Sequence, residues 1–263
     1  MKAKVLVLDI ETAPAVAYVW GLRDQNIGIE QIKYDQYVLM WAAKWLGSSE
    51  VMHDSLIDHP SHFQKNSRCD RQIALTLAKI MEEADIIVTQ NGDGFDLKWA
   101  NQLFLKHGIE RPFKFNSVDL LKHSRRDYYS ISHRLDFRGR QLAIGSKVPH
   151  EGFRLWLSCM EGNKAAWSRM IEYCKGDVRL TERYYLKLRP AMRNHPNVNM
   201  FHNPGPLGRL KCPACGSGKL QKAGFNFSLT GRRQRLRCLD CLHRMTVIGK
   251  ADTTTKVSLR SEN

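Results

Sequence analysis

Two carboxylates stand at the end of an apolar run near the start of the chain. Residues 4–10 read KVLVLDI, and Asp9 and Glu11 are two positions apart, so a strand presents both side chains on one face. Two negative charges this close repel each other and are costly to bury unless cations meet them. Oxygen ligands alone suit Mg²⁺ or Mn²⁺. The pair therefore indicates either a divalent-metal site or a solvated strand end.

Two later groups contain acidic side chains that suit the same chemistry. N-G-D-G-F-D has glycines for a tight turn and ends in Asp96, in the first turn of a predicted helix. Asp93 is interpreted as part of the turn, because Asp-Gly is a common turn pair. Y-C-K-G-D places Tyr173 and Asp177 on one helical face, and Gly176 between them indicates close approach of another backbone. Each group alone is also typical of a capped turn or an amphipathic boundary.

The seven cysteines fall into two groups. Four of them form two C-x-x-C pairs: Cys212, Cys215, Cys238 and Cys241. In a reducing cytosol this spacing favours metal over disulfides, and four thiolates suit one tetrahedral structural Zn²⁺. A module this small buries too little apolar surface to fold unaided, so zinc would supply folding energy. The single cysteines Cys69, Cys159 and Cys174 are interpreted as ordinary thiols.

The elements that must position these groups alternate between strands and helices. Strands are predicted at 4–10, 37–47, 51–56 and 85–91. Helices are predicted at 71–84, at 95–108 with Gly108 as its end, twice within 117–144, and from Lys164 to about Leu188 before Pro190. This order predicts an α/β domain with a mixed sheet.

Taken in chain order, the three acidic groups resemble a known set of exonuclease motifs. D-I-E-T, N-x-x-x-F-D and Y-x-x-x-D, spread over about 170 residues, resemble the DEDD exonuclease family. They are similar to its tyrosine branch, as in the proofreading domains of family B DNA polymerases and small stand-alone relatives. The histidine branch has His five residues before the last aspartate, where this chain has Glu172. The resemblance covers residues 1 to about 190 and implies an RNase H-like mixed sheet flanked by helices.

The resemblance also implies a two-metal phosphodiesterase site. The ligands of two Mg²⁺ or Mn²⁺ ions would be Asp9, Glu11, Asp96 and Asp177. Tyr173 would orient the attacking water, since a phenol with a pKa near 10 is a poor base at neutral pH. The implied contacts to the terminal nucleotide and its surroundings are Thr12, Asn91 and Phe95. The extra carboxylates Asp119 and Asp136 fit no motif and are interpreted as structural.

The segment between the cysteine pairs reads as a β-hairpin. FNFSL and QRLRC are its predicted strands and TGRR its turn, so residues 210–250 resemble a zinc ribbon. On the second strand Arg233, Arg235 and Arg237 recur every two residues and share one face. Such a row suits a nucleic-acid phosphate backbone, although a solvated hairpin face has the same pattern. The ribbon is also an alternative contact for a protein partner.

The charge is concentrated in the C-terminal part. Residues 203–263 contain 12 Lys+Arg against 3 Asp+Glu, which is +9 of the total +15, and this favours a polyanionic partner. We expect an exonuclease domain at 1–190, a linker at 191–209, the zinc ribbon at 210–250 and a flexible tail at 251–263. The sequence shows neither a membrane span nor a signal peptide, so we expect no membrane partner. The expected location is the cytoplasm, or the host cytoplasm for a viral protein.

These features predict a metal-dependent 3′→5′ exonuclease that hydrolyses DNA, with a basic zinc ribbon that binds nucleic acid. An exoribonuclease or a structure-specific endonuclease would use the same carboxylates, so RNA stays open as a substrate. A non-catalytic nucleic-acid-binding adaptor is the alternative from another class, but it has no use for an acidic cluster that repels phosphates. Tyr18 and Trp20 either stack on a terminal base or pack within the fold.

Overall fold

The computed structural model of the 263-residue chain describes residues 3–112, 115–201, 210–228, 231–248 and 258–261. Its strands are β1 Val5–Ala13, β2 Val16–Ala17, β3 Ile32–Tyr34, β4 Tyr37–Trp45, β5 Met52–Ser55, β6 Ile86–Thr89, β7 Asn116–Asp119, β8 Leu220–Ser228, β9 Gly231–Cys238, β10 Arg244–Ile248 and β11 Ser258–Ser261. Its α-helices are α1 Pro60–Lys65, α2 Arg71–Glu82, α3 Asp96–His107, α4 Leu120–Asp127, α5 Leu135–Gln141, α6 Phe153–Met160 and α7 Lys164–Leu188. Short 3₁₀ turns cover Ile29–Gln31, Leu56–Asp58, Arg189–Ala191 and Val198–Phe201.

Five strands form the mixed sheet that the sequence predicts. Their order is β5-β4-β1-β6-β7, antiparallel from β5 to β1 and parallel from β1 to β7. The Val-Leu run of β1 is buried throughout from Val5 to Leu8, as expected of a strand covered on both faces. β1 therefore lies in the middle of the sheet and carries its acidic residues into the interior.

Helices cover both faces of this sheet. The Trp41 indole on β4 donates a hydrogen bond to Thr76 on α2, whereas Lys44 on the same strand pairs with Glu182 on α7. Positions 41 and 44 of a strand point to opposite faces, so α2 and α7 lie on opposite sides. α3 packs beside α2, and α4, α5 and α6 pack against α7. The result is the α/β architecture of three layers.

The C-terminal part forms a second, four-stranded sheet in the order β11-β10-β9-β8. β8 and β9 form the predicted hairpin, but β9 begins at Gly231, so residues 231–233 of the predicted turn belong to the strand. Residues 229–230 lie outside the described residues. A strand at Ser258–Ser261, within the predicted tail, pairs with β10. The rest of the tail and residues 202–209 of the predicted linker also lie outside the described part.

The first half of the predicted linker packs on the α/β core. Met192 and Val198 are buried in the same apolar cluster as the sheet. The Val198 amide donates to the Pro213 carbonyl at 2.8 Å, and His243 Nδ1 donates to the Pro190 carbonyl at 3.0 Å. These bonds attach the cysteine-containing sheet to the segment that follows α7.

Most predicted elements are found, although β2, β3, β10, β11, α1 and α6 have no counterpart among the predicted elements. The first strand is longer than predicted and ends at Ala13, and the polar strand β7 precedes the two helices predicted within 117–144. Among the described helices, even the 25-residue α7 is too polar to cross a lipid bilayer.

Candidate active site and cysteine cluster

The two carboxylates of β1 lie where the strand runs between β4 and β6. Asp9 pairs in register with Ala42, and Glu11 with Met40, so both side chains leave the sheet on one face. The β1–β4 register shifts between Glu11 and Thr12, and this bulge bends the strand just after the acidic pair. The pair is partly buried.

α3 brings a third carboxylate to the same place. Asp96 is its first residue, 2 % exposed, as the turn motif predicts. Its Oδ1 accepts a hydrogen bond of 2.9 Å from the Ile10 amide, which lies between Asp9 and Glu11. The turn N-G-D-G-F-D therefore fixes this side chain directly against the first motif.

α7 supplies the last carboxylate and the tyrosine. Asp177 is 2 % exposed and Tyr173 is 6 % exposed, one helical turn apart on one face. Lys147 binds both, with its Nζ 2.5 Å from Asp177 Oδ2 and 2.8 Å from the Tyr173 hydroxyl. Asp177 Oδ1 is buried and has no hydrogen-bond partner among the described residues.

The titration of these groups reflects their proximity. Burial, followed by repulsion from Asp177, raises the pKa of Asp9 to about 7. Burial and repulsion from Asp9 raise the pKa values of Glu11 and Asp96 well above the usual range. Burial also raises the pKa of Asp177, against the opposing effect of Lys147. The protein alone does not neutralise this acidic cluster.

A divalent cation fits this set of donors. The carboxylates of Asp9 and Glu11 and the thiol of Cys174 have ligand atoms within 4.8 Å of one another. The unpartnered Oδ1 of Asp177 and the raised carboxylate pKa values both indicate missing positive charge. Oxygen donors of this kind suit Mg²⁺ or Mn²⁺.

Sequence reasoning missed Lys147 and the contact of Cys174 with the site. Cys174 Sγ lies 3.5 Å from Asp9 Oδ2, although the sequence offers no spacing that separates it from an ordinary core thiol. Lys147 comes from an irregular loop after α5, S-K-V-P-H, where no periodicity marks it. Asp136 holds the Lys147 amide at 3.0 Å, which agrees with its interpretation as structural.

Gly176 explains how the lysine loop reaches α7. A Cβ atom at this position would lie 2.6 Å from Val148 Cγ2, closer than real side-chain contacts allow. The close neighbour of this glycine is therefore a side chain of the Lys147 loop and not the backbone that the sequence predicts. On the outer side of Tyr173, the rings of His150 and Trp156 pack at centroid distances of 4.7 and 5.9 Å.

The remaining predicted contact residues lie around the site in different settings. Thr12 follows the bulge and is partly buried, while Phe95 is 37 % exposed and packs edge-on against Trp99. Asn91 is an exposed turn residue with φ +71°, whose amide donates to Asp119. Asp119 also caps α4, and Asp93 binds Ser117 and Lys122, so both act in local structure.

The four C-terminal cysteines converge on one point. Their sulfur atoms all lie within 4.8 Å of one another, with Cys212 3.5 Å from Cys241 and Cys215 3.6 Å from Cys238. A tetrahedral zinc with Zn–S bonds of about 2.3 Å separates its sulfurs by about 3.8 Å. The hydrogen bond from Cys212 lowers the pKa of the Cys215 thiol, whereas the hydrogen bond with Cys215 raises the pKa of Cys212. The cluster fits a small zinc ribbon.

Both cysteine pairs have the same backbone turn. The residues after the second cysteines, Gly216 and Leu242, have φ of +76° and +63°. Their amides donate to the carbonyls of Cys212 and Cys238 at 2.8 and 3.0 Å. Glycine adopts this conformation freely, and Leu242 adopts it at some cost.

The three alternating arginines of β9, a strand that also contains Arg232, do not share one environment. Arg233 and Arg237 are exposed, whereas Arg235 is partly buried and donates through Nε to the Phe225 carbonyl at 3.2 Å. Leu236 and Cys238, which alternate with them, are buried. The arginines therefore lie on the outer face, as their spacing predicts.

Comparisons with known proteins agree with this fold. Residues 43–189 match the family model described as the RNase H superfamily. The chain is structurally similar to the family B DNA polymerase of the archaeon Pyrobaculum calidifontis, with a TM-score of 0.52 and 19 % identity over 72 % of this chain. The match covers 25 % of that polymerase, so the chain spans about a quarter of its length. No curated protein matches the chain in sequence.

Proposed function

Because the chain belongs to the RNase H superfamily, we propose that it is a metal-dependent nuclease of the tyrosine branch that shortens DNA from its 3′ end. The observation that carries this proposal is that carboxylates of β1, α3 and α7 act on one another. Asp177 repels both Asp9 and Glu11, and Asp96 accepts a hydrogen bond from the Ile10 amide that lies between them. These elements carry the three motifs in the order of that branch. An adaptor without activity would bury this negative charge at a cost and without use.

The four carboxylates would hold two Mg²⁺ or Mn²⁺ ions. When bound, such ions polarise the phosphate and lower the pKa of a coordinated water. Asp9 and Glu11 would approach from β1, Asp96 from the start of α3 and Asp177 from α7. Their fixed backbone positions would keep the donors in place before substrate arrives.

Tyr173 would orient the attacking water as a hydrogen-bond donor. Burial, with repulsion from Asp177, raises the pKa of its hydroxyl above the usual range, so the phenol keeps its proton. Lys147 stays charged, since its ion pair with Asp177 raises its pKa although burial opposes this. Its ammonium donates to the Tyr173 oxygen, which leaves the phenol proton to donate to an acceptor: the Asp177 carboxylate in this structure, and the attacking water in the proposed complex. We propose Lys147 as a positioning residue.

The cysteine cluster would hold one structural Zn²⁺, and the ribbon would bind nucleic acid. Arg233 and Arg237 are exposed cations on one strand, which suits contacts to successive phosphates. Removal of residues 203–263 should therefore weaken binding and flatten its log–log salt dependence. Unchanged affinity and slope would assign the ribbon to protein contacts instead.

The test is digestion of 5′-labelled single- and double-stranded DNA and RNA with Mg²⁺ or Mn²⁺. A ladder that shortens from the 3′ end, lost in Asp177→Asn but kept in Asp93→Asn, supports the proposal. Asp93 is a matched control because it lies in the neighbouring turn and binds Lys122 instead of the cluster. Internal cuts would favour an endonuclease, digestion of RNA alone an exoribonuclease, and binding without cleavage an adaptor.

A further inference from the structure

A cavity of about 480 Å³ opens between the segment that precedes β4, the loop before α2, and α3. Its volume lies in the usual range for a small-ligand site. The side chains that dominate its wall are cations, aromatics and an amide: Lys33, Tyr34, Arg68, Trp99, Gln102 and Lys106. None of the four site carboxylates lines this cavity.

α3 connects the cavity to the carboxylate site. Trp99, Gln102 and Lys106 follow at three- and four-residue steps, so they form one face of the helix that begins with Asp96. At 1.5 Å per residue, the ten residues from Asp96 to Lys106 span about 15 Å. Phe95, beside the site, packs against Trp99 with 6.4 Å between ring centroids. One continuous helical surface therefore leads from the carboxylates into the cavity.

Two cations in the cavity lack acidic partners. Arg68 Cζ lies 3.3 Å from the centre of the Tyr34 ring, and Lys33 Nζ lies 5.3 Å from it. Within the described part of the chain, neither cation has a carboxylate within 4.0 Å. Asp35 also lines the cavity, without an ion pair to either cation. Two like charges on one ring indicate a place for an anion.

Lys106, the third cation of the cavity, is already neutralised by the buried Asp70 beneath it. Asp70 is 1 % exposed and accepts hydrogen bonds from Lys106 at 2.9 Å, His107 at 2.7 Å and the Val38 amide at 3.1 Å. This network satisfies the carboxylate and fixes the cavity floor. The available charge of the cavity is therefore that of Lys33 and Arg68.

We propose that this cavity binds a nucleotide of the substrate strand, several positions from the end that is hydrolysed. Lys33 and Arg68 would each contact one of the two phosphates that flank it, and Trp99, which is partly buried, would offer a ring to its base. At about 3.4 Å per stacked nucleotide, the 15 Å of α3 corresponds to roughly three to five nucleotides. This inference rests on the proposed function, because it places the strand end at the carboxylates.

The test is binding of fluorescent single-stranded DNA to the full-length chain without added divalent ions, so that no cleavage occurs. A decamer reaches the cavity, whereas a dinucleotide and a nucleoside monophosphate are too short. In Lys33→Gln/Arg68→Gln we expect the decamer to bind more weakly, with a log–log salt slope flatter by about 1.4, since each phosphate contact on a single strand contributes about 0.7. The dinucleotide should bind unchanged.

Lys79→Gln is the matched control, since this exposed lysine lies at the far end of α2 and outside the cavity. The single variant Lys33→Gln, with an expected slope change of about 0.7, covers the case in which the Arg68 variant folds poorly. Trp99→Phe should reduce the change in DNA fluorescence that accompanies binding of the decamer.

Three results would overturn the inference: an unchanged decamer slope in both variants, an equal change in Lys79→Gln, or a mononucleotide that binds as tightly as the decamer and depends on Lys33. The last would make the cavity a site for free nucleotides. Failure of the proposed function is distinguishable, because it would appear as absent metal-dependent cleavage in the parent chain. Failure of this inference alone would leave cleavage intact.

Discussion

Asp9→Asn should abolish cleavage and yet stabilise the metal-free protein at alkaline pH. The folded state raises the pKa of Asp9 from 3.8 to about 7, so it resists ionisation of this carboxyl. Stability is therefore lost as the pH rises from the unfolded to the folded pKa, and the loss stays constant above it. At about 1.36 kcal/mol per pKa unit, the loss is at most about 4 kcal/mol at pH 8 and less than half of that at pH 5.

The assay is urea unfolding of parent and variant at pH 5 and pH 8, without added Mg²⁺ or Mn²⁺ and with zinc retained. Asp9→Asn should exceed the parent by up to about 4 kcal/mol at pH 8, with a smaller gain at pH 5. Asp93→Asn is the control, because the pKa of Asp93 is shifted in the opposite direction from that of Asp9. Although burial opposes it, hydrogen bonds from Lys122 and Ser117 lower the pKa of Asp93, so its replacement should not stabilise the protein.

Added Mg²⁺ should narrow the difference in stability between Asp9→Asn and the parent. The parent gains stability from the ion, by about 2.7 kcal/mol at a hundredfold excess over the dissociation constant, while Asp9→Asn gains much less. The reasoning is refuted if Asp9→Asn is no more stable than the parent at pH 8 without metal. It is equally refuted if Asp93→Asn shows the same gain.

Three further substitutions test other parts of the structure. Tyr173→Phe should reduce kcat while the Mg²⁺-induced rise in Tm persists, because the lost hydroxyl contacts Lys147 and is not one of the proposed ligands. A lost Tm shift would make Tyr173 part of the metal site. Gly176→Ala should lower the free energy of unfolding by about 1–3 kcal/mol in urea, because the added Cβ displaces Val148 and the neighbouring Lys147. It should also reduce kcat more than it changes KM. An unchanged kcat would show that this loop takes no part in catalysis. Cys238→Ser should lower the amount of zinc bound per chain, measured with a chromogenic chelator, and flatten the salt dependence of DNA binding. Full zinc occupancy in this variant would contradict the proposed zinc site.

The regular elements were predictable where local pattern and burial agree. α7 has the predicted bounds because an apolar period runs from Lys164 to Leu188 and Pro190 follows. α3 ends as predicted, since Gly108 adopts φ +61° after the last turn. Strand β7 escaped prediction because N-S-V-D has one residue that favours strands, and its pairing with β6 forms it.

The acidic motifs could be recognised from the sequence, because carboxylates of this type and order are unusual beside apolar segments. Lys147 was not visible, because its role comes from a loop that lies against α7 only in the folded chain. The cavity at Lys33 and Arg68 was equally hidden, since 35 residues separate two side chains that contact one ring. Contacts of this kind depend on tertiary structure and leave no spacing in the sequence.

If the chain is the proposed exonuclease, the attachment of the ribbon to the segment after α7 has a consequence for its movement along a strand. His243 and Val198 tie the ribbon to the end of the helix that carries Asp177, so its arginine face keeps a set distance from the carboxylates. A strand held at both places must slip past the arginines by one phosphate for every nucleotide removed. The ribbon would then govern processivity: a firmer grip keeps the enzyme on its strand but slows each step. Once the strand is shorter than this distance, digestion should become distributive.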